Sequence, residues 1–149
     1  MFAGGNMDHV AILSKKYKFL DKIISGEKII ESRWYVNRIA PWNKIKKGEI
    51  VYFKNSGEQI KVKAKVKKVL SFDLKHKKIK DILLEYGEEI GFNLQEIDKW
   101  IEFYKNKNYC ILMFLENPIE IKPFNINKKG FGNACAWLCV DDIERIRTT

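Results

Sequence analysis

The chain has little of what secreted, membrane-spanning or metal-built proteins are made from. Its three cysteines, Cys110, Cys135 and Cys139, are odd in number and form no Cys-x-x-Cys pair, which speaks against a disulfide framework and fits reduced thiols in the cytoplasm. His9 and His76 are the only histidines, too few to recommend a zinc site beside those cysteines, so neither a metal nor a cofactor is expected. The longest apolar run, Tyr109 to Leu115, falls far short of the roughly 20 residues that span a bilayer, and no signal-peptide pattern opens the chain. Repeats and low-complexity linkers are lacking too, and 149 residues with 46% hydrophobic content suit one domain over 1–149. Residues 1–7 are glycine-rich and unpatterned and read as a leader, with Met7 as an alternative start. Acidic residues are also scarce. Against 28 Lys and Arg stand 19 Asp and Glu, a formal charge of +9. Such an excess favours a polyanionic partner, RNA or a nucleotide, through long-range attraction and counterion release, the alternative being a merely soluble basic surface. Composition leaves the oligomeric state open.

What is present is concentrated in Gly26-Glu27-Lys28-Ile29-Ile30-Glu31-Ser32-Arg33-Trp34. Upstream, Ser14 is placed to cap a helix carrying Tyr17, Leu20, Ile23 and Ile24 at three- and four-residue spacing, and Gly26 supplies a left-handed stop. Ile29 to Tyr35 then reads as a strand. Its period of two puts Glu31, Arg33 and Tyr35 on one face and Ile30, Ser32 and Trp34 on the other, so that Trp34 and Tyr35 are not expected to face the same cavity. Glu31 and Arg33 are then either an ion pair or a ligand-reading device.

The spacing Gly-x-Lys-x-x-Glu-x-Arg at Gly26, Lys28, Glu31 and Arg33 resembles the signature of the ASCH domain, a branch of the PUA-like superfamily. The resemblance extends through His9-Val-Ala-Ile-Leu, Ala40-Pro41-Trp42, Lys47-Gly48-Glu49 with the strand after it, Gly130-Phe131-Gly132 and Ala136-Trp137-Leu138, most of the chain. It implies an α+β fold, a mixed PUA-like β-barrel of about six strands with flanking helices, and a motif-lined cleft that binds RNA or nucleotides. Some relatives resemble amidohydrolases with a threonine nucleophile in this motif; here Glu31 stands in its place. Others look like metal-independent ribonucleases. A hydrolase acting on RNA or on acylated nucleosides, with Lys28 stabilising charge and Glu31 as base, is therefore the alternative function, and a protein-interaction domain is a second one.

The remaining pattern fits that frame. Ile50 to Lys54 and the strand after Asn55-Ser56-Gly57-Glu58 form a hairpin, in which Ile60, Val62, Ala64 and Val66 alternate with Lys61, Lys63, Lys65 and Lys67. Parity breaks at Lys67-Lys68, which predicts a bulge and a bend. A helical insert over 77–105 follows: Ile79, Ile82, Leu83, Tyr86 and Ile90 line one helix and Ile97, Trp100, Ile101 and Tyr104 the next, with Gly91 as stop and Asn93 as cap. Tyr109 to Leu115 is a buried strand, Ile119 onward its continuation, and Ala136 to Val140 closes the sheet before a terminal helix at Asp141.

In the cleft reading Arg33 holds a phosphate or carboxylate, Lys28 adds a point charge, Glu31 accepts from a base amino group, and Trp34, Tyr35 or Trp42 stacks on the base. Lys61, Lys63 and Lys65 offer a row of cations that either tracks a phosphate backbone or protects a sheet edge from aggregation. Gly130 and Gly132, with Asn133, form either an amide cradle or a turn needing positive φ.

Overall fold

The computed structural model describes residues 5–132 and 135–149. Most of the glycine-rich opening, and Asn133 of the glycine loop, lie outside them. Six strands, β1 (Asp8–Leu13), β2 (Ile30–Tyr35), β3 (Ile50–Asn55), β4 (Ile60–Asp73), β5 (Tyr109–Phe124) and β6 (Trp137–Val140), form one mixed sheet in the order β2-β5-β4-β3-β1-β6. It curls into a half-barrel whose free edges are β2 and β6. Only β1 and β3 run parallel; the other neighbours are antiparallel. Helix α1 (Phe19–Ser25) plugs the inner face, and α2 (Ile79–Ile90) with α3 (Ile97–Tyr104) covers the outer face of β2 and β5. The PUA-like α+β architecture read from the sequence is therefore the observed one.

Side-chain periodicity explains the layers. Along β5, Ile111, Met113 and Leu115 pack inward with Leu20 and Ile23, while Cys110 and Leu112 pack outward with Ile82, Leu83 and Trp100. A strand covered on both faces has no polar side, hence the unbroken apolar run. On β4, Val62, Ala64 and Val66 face inward; the register then shifts between Val66 and Lys68, so that Val69 faces inward and Leu70 and Phe72 turn to the helices. The extra residue lets one strand of 14 residues serve two cores.

Two local expectations are corrected. Ser14 caps a single 3-10 turn, Lys15–Tyr17, and Lys18 at φ 56° separates it from α1. The break lets the Tyr17 ring sit edge-on to Trp100, 4.9 Å away, while Leu20 and Ile23 enter the barrel, which one straight helix would not allow. At the C-terminus the helix is again only a 3-10 turn, Ile143–Arg145, capped by Asp142 rather than Asp141. Gly26 (φ 85°) and Gly91 (φ 103°) take the left-handed stops expected of them.

A buried polar node ties the start of β1 to β3 and β6. Glu49 accepts from His9 Nε2–H at 2.8 Å, from the Lys46 amide at 2.8 Å and from the Met7 amide at 2.7 Å. Trp137 Nε1–H donates to His9 Nδ1 at 3.1 Å. An indole N–H can only donate, so Nδ1 is the acceptor and the imidazole is neutral with its proton on Nε2. Burial pushes His9 below its ordinary 6.5, against the pull of Glu49. Unfolded His9 then binds a proton that the folded state refuses, so this contribution to stability is complete above pH 6.5 and declines as pH falls toward the lowered folded value. Urea unfolding above and below pH 6.5 should show a loss on the acid side that shrinks in His9→Gln; an unchanged acid-side loss in the variant would contradict the neutral assignment.

Candidate functional site: the cleft at the barrel seam

The half-barrel does not close by strand pairing, and the motif sits where it fails to close. Lys28 follows the Gly26 stop and Glu31, Arg33 and Tyr35 project from β2 toward the inner side. Glu31 is 3% exposed and Lys28 2%. The Glu31 carboxylate takes Lys28 Nζ at 3.1 Å on Oε1, and Arg33 on Oε2, with Nε at 2.9 Å and Nη2 at 2.7 Å. Arg33 then reaches across the seam, donating from Nη2 to the Ile12 carbonyl of β1 and from Nη1 to the Ala136 carbonyl just before β6, both at 3.2 Å. The guanidinium does by side chain what a ladder would do by backbone.

Lys28 gives its remaining protons to the carbonyls of Ile30 at 2.6 Å and Ile90 at 2.7 Å. Lys22 Nζ donates to the Gly91 carbonyl at 2.8 Å, and the Ile29 amide to Glu89 at 2.8 Å. The C-terminus of α2, where orphan carbonyls gather, is thus held by two ammonium groups and an amide. Burial alone would raise the Glu31 carboxyl, but the flanking Lys28 and Arg33 charges outweigh it and hold the group below the ordinary carboxylate range. For Lys28 burial wins over Glu31 and lowers the ammonium below its ordinary value. Arg33 is pushed up: the attraction of Glu31 exceeds the cost of burial.

A cleft of about 390 Å³ opens over this floor. Lys28, Glu31, Ser32, Arg33, Trp34 and Tyr35 all line it. That corrects the expectation that Trp34 and Tyr35 face different spaces: β2 is a sheet edge, so a cleft lying along that edge meets side chains from both faces. Trp34 is nonetheless committed, its ring stacked on Tyr104 at 4.3 Å and 11° and its Nε1–H donating to Ser32 Oγ at 3.0 Å. Burial pushes the Tyr35 and Tyr104 hydroxyls upward, so both are neutral donors at physiological pH.

The other sequence candidates are elsewhere. Trp42 lies against Tyr109 with Arg38 over both rings. Lys61 sits 3.4 Å from Glu58, Lys63 borders a groove with Tyr52, Lys122 and Arg147, and Lys65 is exposed on β4. Gly130 and Gly132, at φ 95° and 87°, border a shallow depression with Asn127 and Lys129. None of these lines the cleft. Conversely, Phe103 and Tyr104 of the helical insert and Lys107 in the turn after it do, and the motif gave no sign of them. Among the described residues no group of three His, Cys, Asp or Glu is placed to hold a metal ion, and no helix is long and apolar enough to cross a membrane.

The sequence matches no protein-family model and no curated protein. The structure does have likenesses. An ASCH protein from Zymomonas mobilis superposes with a TM-score of 0.61 over 88% of this chain and 85% of that one, at 16% identity. Its Ser-to-Ala variant gives 0.66 over 93% and 91%, at 17% identity. The fold is ASCH-like. The N-terminal domain of Staphylothermus marinus McrB is a more distant likeness, with a TM-score of 0.50 and 14% identity over 82% of this chain and 78% of that one. The ASCH-like frame matches the motif resemblance, and in it Lys28 has a structural task that is open to measurement. Lys28→Met keeps the stem but leaves Glu31 Oε1 and two carbonyls without their donor, and should destabilise the fold by about 3 to 5 kcal/mol in equilibrium denaturation. A loss under about 1 kcal/mol, the size of an exposed ion pair, would contradict the geometry.

Proposed function

We propose that this protein binds single-stranded RNA or a modified nucleotide, taking a base into the cleft over Lys28, Glu31 and Arg33. The observation that carries this reading is a compensated, ionised carboxylate lying in the floor of a cleft of about 390 Å³ beside aromatic walls. That volume falls in the range of small-ligand pockets, roughly 300 to 1,000 Å³. Glu31 keeps acceptor capacity for an exocyclic amino group, Ser32 and Tyr35 offer hydroxyls, and Tyr35 offers a ring for stacking. Because Arg33 is already engaged by one carboxylate and two carbonyls, its role in this proposal is to fix Glu31 and present only its outer edge to a ligand.

The +9 charge supports a polyanionic ligand. Outside the cleft, the row Lys61, Lys63 and Lys65 is proposed as a track for the strand's phosphates, with Trp42 and the Gly130 and Gly132 turn as outlying contacts. The geometry lends less support to hydrolysis. Lys28 gives its protons to three internal acceptors, and a carboxyl held below its ordinary range is a weak general base.

Fluorescence anisotropy with a mixed-sequence single-stranded RNA tests the reading. Affinity should fall with salt, the log–log slope being about −0.7 for each phosphate neutralised. Tyr35→Ala should weaken binding by about 1 to 3 kcal/mol, the worth of one stacked base. Binding indifferent to salt and to Tyr35→Ala would overturn the proposal.

A further inference from the structure

The cleft has a second aromatic at its mouth that its own architecture does not use. The apolar stripe of α3 is Ile97, Trp100, Ile101 and Tyr104; Phe103 lies outside it and is 61% exposed, the most exposed large hydrophobic side chain among the described residues. Its ring is held edgewise, meeting Trp100 at 5.7 Å and 85° and Tyr104 at 5.1 Å and 73°. Neither neighbour stacks on it. The rings beside it are stacked in pairs, Trp34 on Tyr104 and Phe92 on Trp100 at 4.2 Å and 14°.

Lys107 lines the same mouth, four residues on, in the turn closed by its amide hydrogen bond to the Tyr104 carbonyl at 2.9 Å. Among the described residues its ammonium has no carboxylate partner, unlike Lys99 and Lys105 of the same helical segment, which pair with Glu96 and Glu102. An exposed π-face and an unpaired cation at the lip of a base-sized cleft are the two elements with which proteins hold consecutive nucleotides of a single strand. Lys28 and Arg33 cannot substitute for Lys107, because both already give their N–H groups to Glu31 and to backbone carbonyls.

We infer that Phe103 and Lys107 form a second nucleotide subsite: the base next to the one in the cleft stacks on Phe103, and the phosphate joining the two rests on Lys107. The ligand is then a strand of at least two nucleotides rather than a free nucleoside or mononucleotide. This rests on the cleft reading and extends it outward. The chemistry is common to RNA and single-stranded DNA, which differ in the 2′-hydroxyl.

The test is isothermal titration of wild type, Phe103→Ala, Phe103→Trp and Lys107→Ala with a mixture of nucleoside 5′-monophosphates and with mixed-sequence tetranucleotides in ribo and deoxy form. Phe103 is exposed and Lys107 half-buried, and thermal melts of the variants check that the fold is intact. The tetranucleotide should bind wild type at least tenfold more tightly than the monophosphates. Phe103→Ala should lose about 5- to 150-fold for the tetranucleotide and little for monophosphates, and Phe103→Trp should restore the difference. Lys107→Ala should reduce the salt slope for the tetranucleotide by about 0.7. Equal loss for ribo and deoxy strands supports the shared subsite; a loss confined to one of them still supports it and identifies the strand. If monophosphates and tetranucleotide bind wild type equally, or Phe103→Ala leaves the tetranucleotide unaffected, the subsite is wrong and the cleft reading survives. If neither ligand binds, the cleft reading falls and this inference with it.

Discussion

Glu31 is an ionised carboxylate with almost no contact with water, and the arrangement around it is what lets the barrel remain open. Removing such a charge from solvent costs several kcal/mol even after relaxation, and only well-aligned partners offset that. Lys28 on one oxygen and the Arg33 fork on the other are those partners. Neither cation is spent on Glu31 alone. Arg33 carries the connection on to Ile12 and Ala136 across the seam, and Lys28 carries it to Ile90 at the end of α2. One carboxylate therefore joins the two free sides of the sheet to the helical insert. Truncating Glu31 leaves two cations facing each other, and truncating either cation takes the donor from one carboxylate oxygen, so the three residues form a unit whose energies do not add.

The consequence for the cleft is positional. Its floor belongs to β2 and its outer wall to the insert, and the two meet where Lys22 and Lys28 hold the carbonyls of Gly91 and Ile90. Beyond that joint the wall is aromatic: Phe92, Trp100 and Tyr104 form a continuous ring cluster against Trp34. A site mounted on a strand edge and a packed helix is held more firmly than one built on loops, and that matters where discrimination rests on one acceptor and one stacking face.

Much of this frame was legible in the residues. The lysine-alternating β4 announced its inward face, and the parity slip at Lys67-Lys68 announced its bulge, because a period of two makes one inserted residue visible. The unbroken run at Tyr109 revealed a doubly covered strand. Gly26 and Gly91 marked helix ends by conformational need, and Asn93 marked a start by its side-chain cap on the Gln95 amide. What was not legible depended on which elements become neighbours in space. No spacing in β2 tells that its open edge borders Ile12 and Ala136, so the ion pair and the ligand device looked like alternatives when the structure makes the pair the floor of the cleft. The same topology exposes Trp34 and Tyr35 to a common space. Phe103 carried a faint signal, an aromatic set off the apolar stripe of its helix, but its place at the cleft depends on how the insert docks.

The central claim is that a preformed, charge-compensated floor at the seam receives a base. Its most direct test is an NMR titration of the protein, labelled to report Arg Nε–H, Lys Nζ, Trp indole and Tyr ring signals, with a short mixed-sequence single-stranded RNA. The account predicts that before RNA is added Arg33 Nε–H and Lys28 Nζ already show slow exchange with water, as buried, hydrogen-bonded groups do. On titration the signals of Arg33 and Tyr35 should shift together at one saturating concentration, while Lys28 remains protected. Shifts confined to the β4 lysines, with the cleft signals unmoved at saturation, would contradict it.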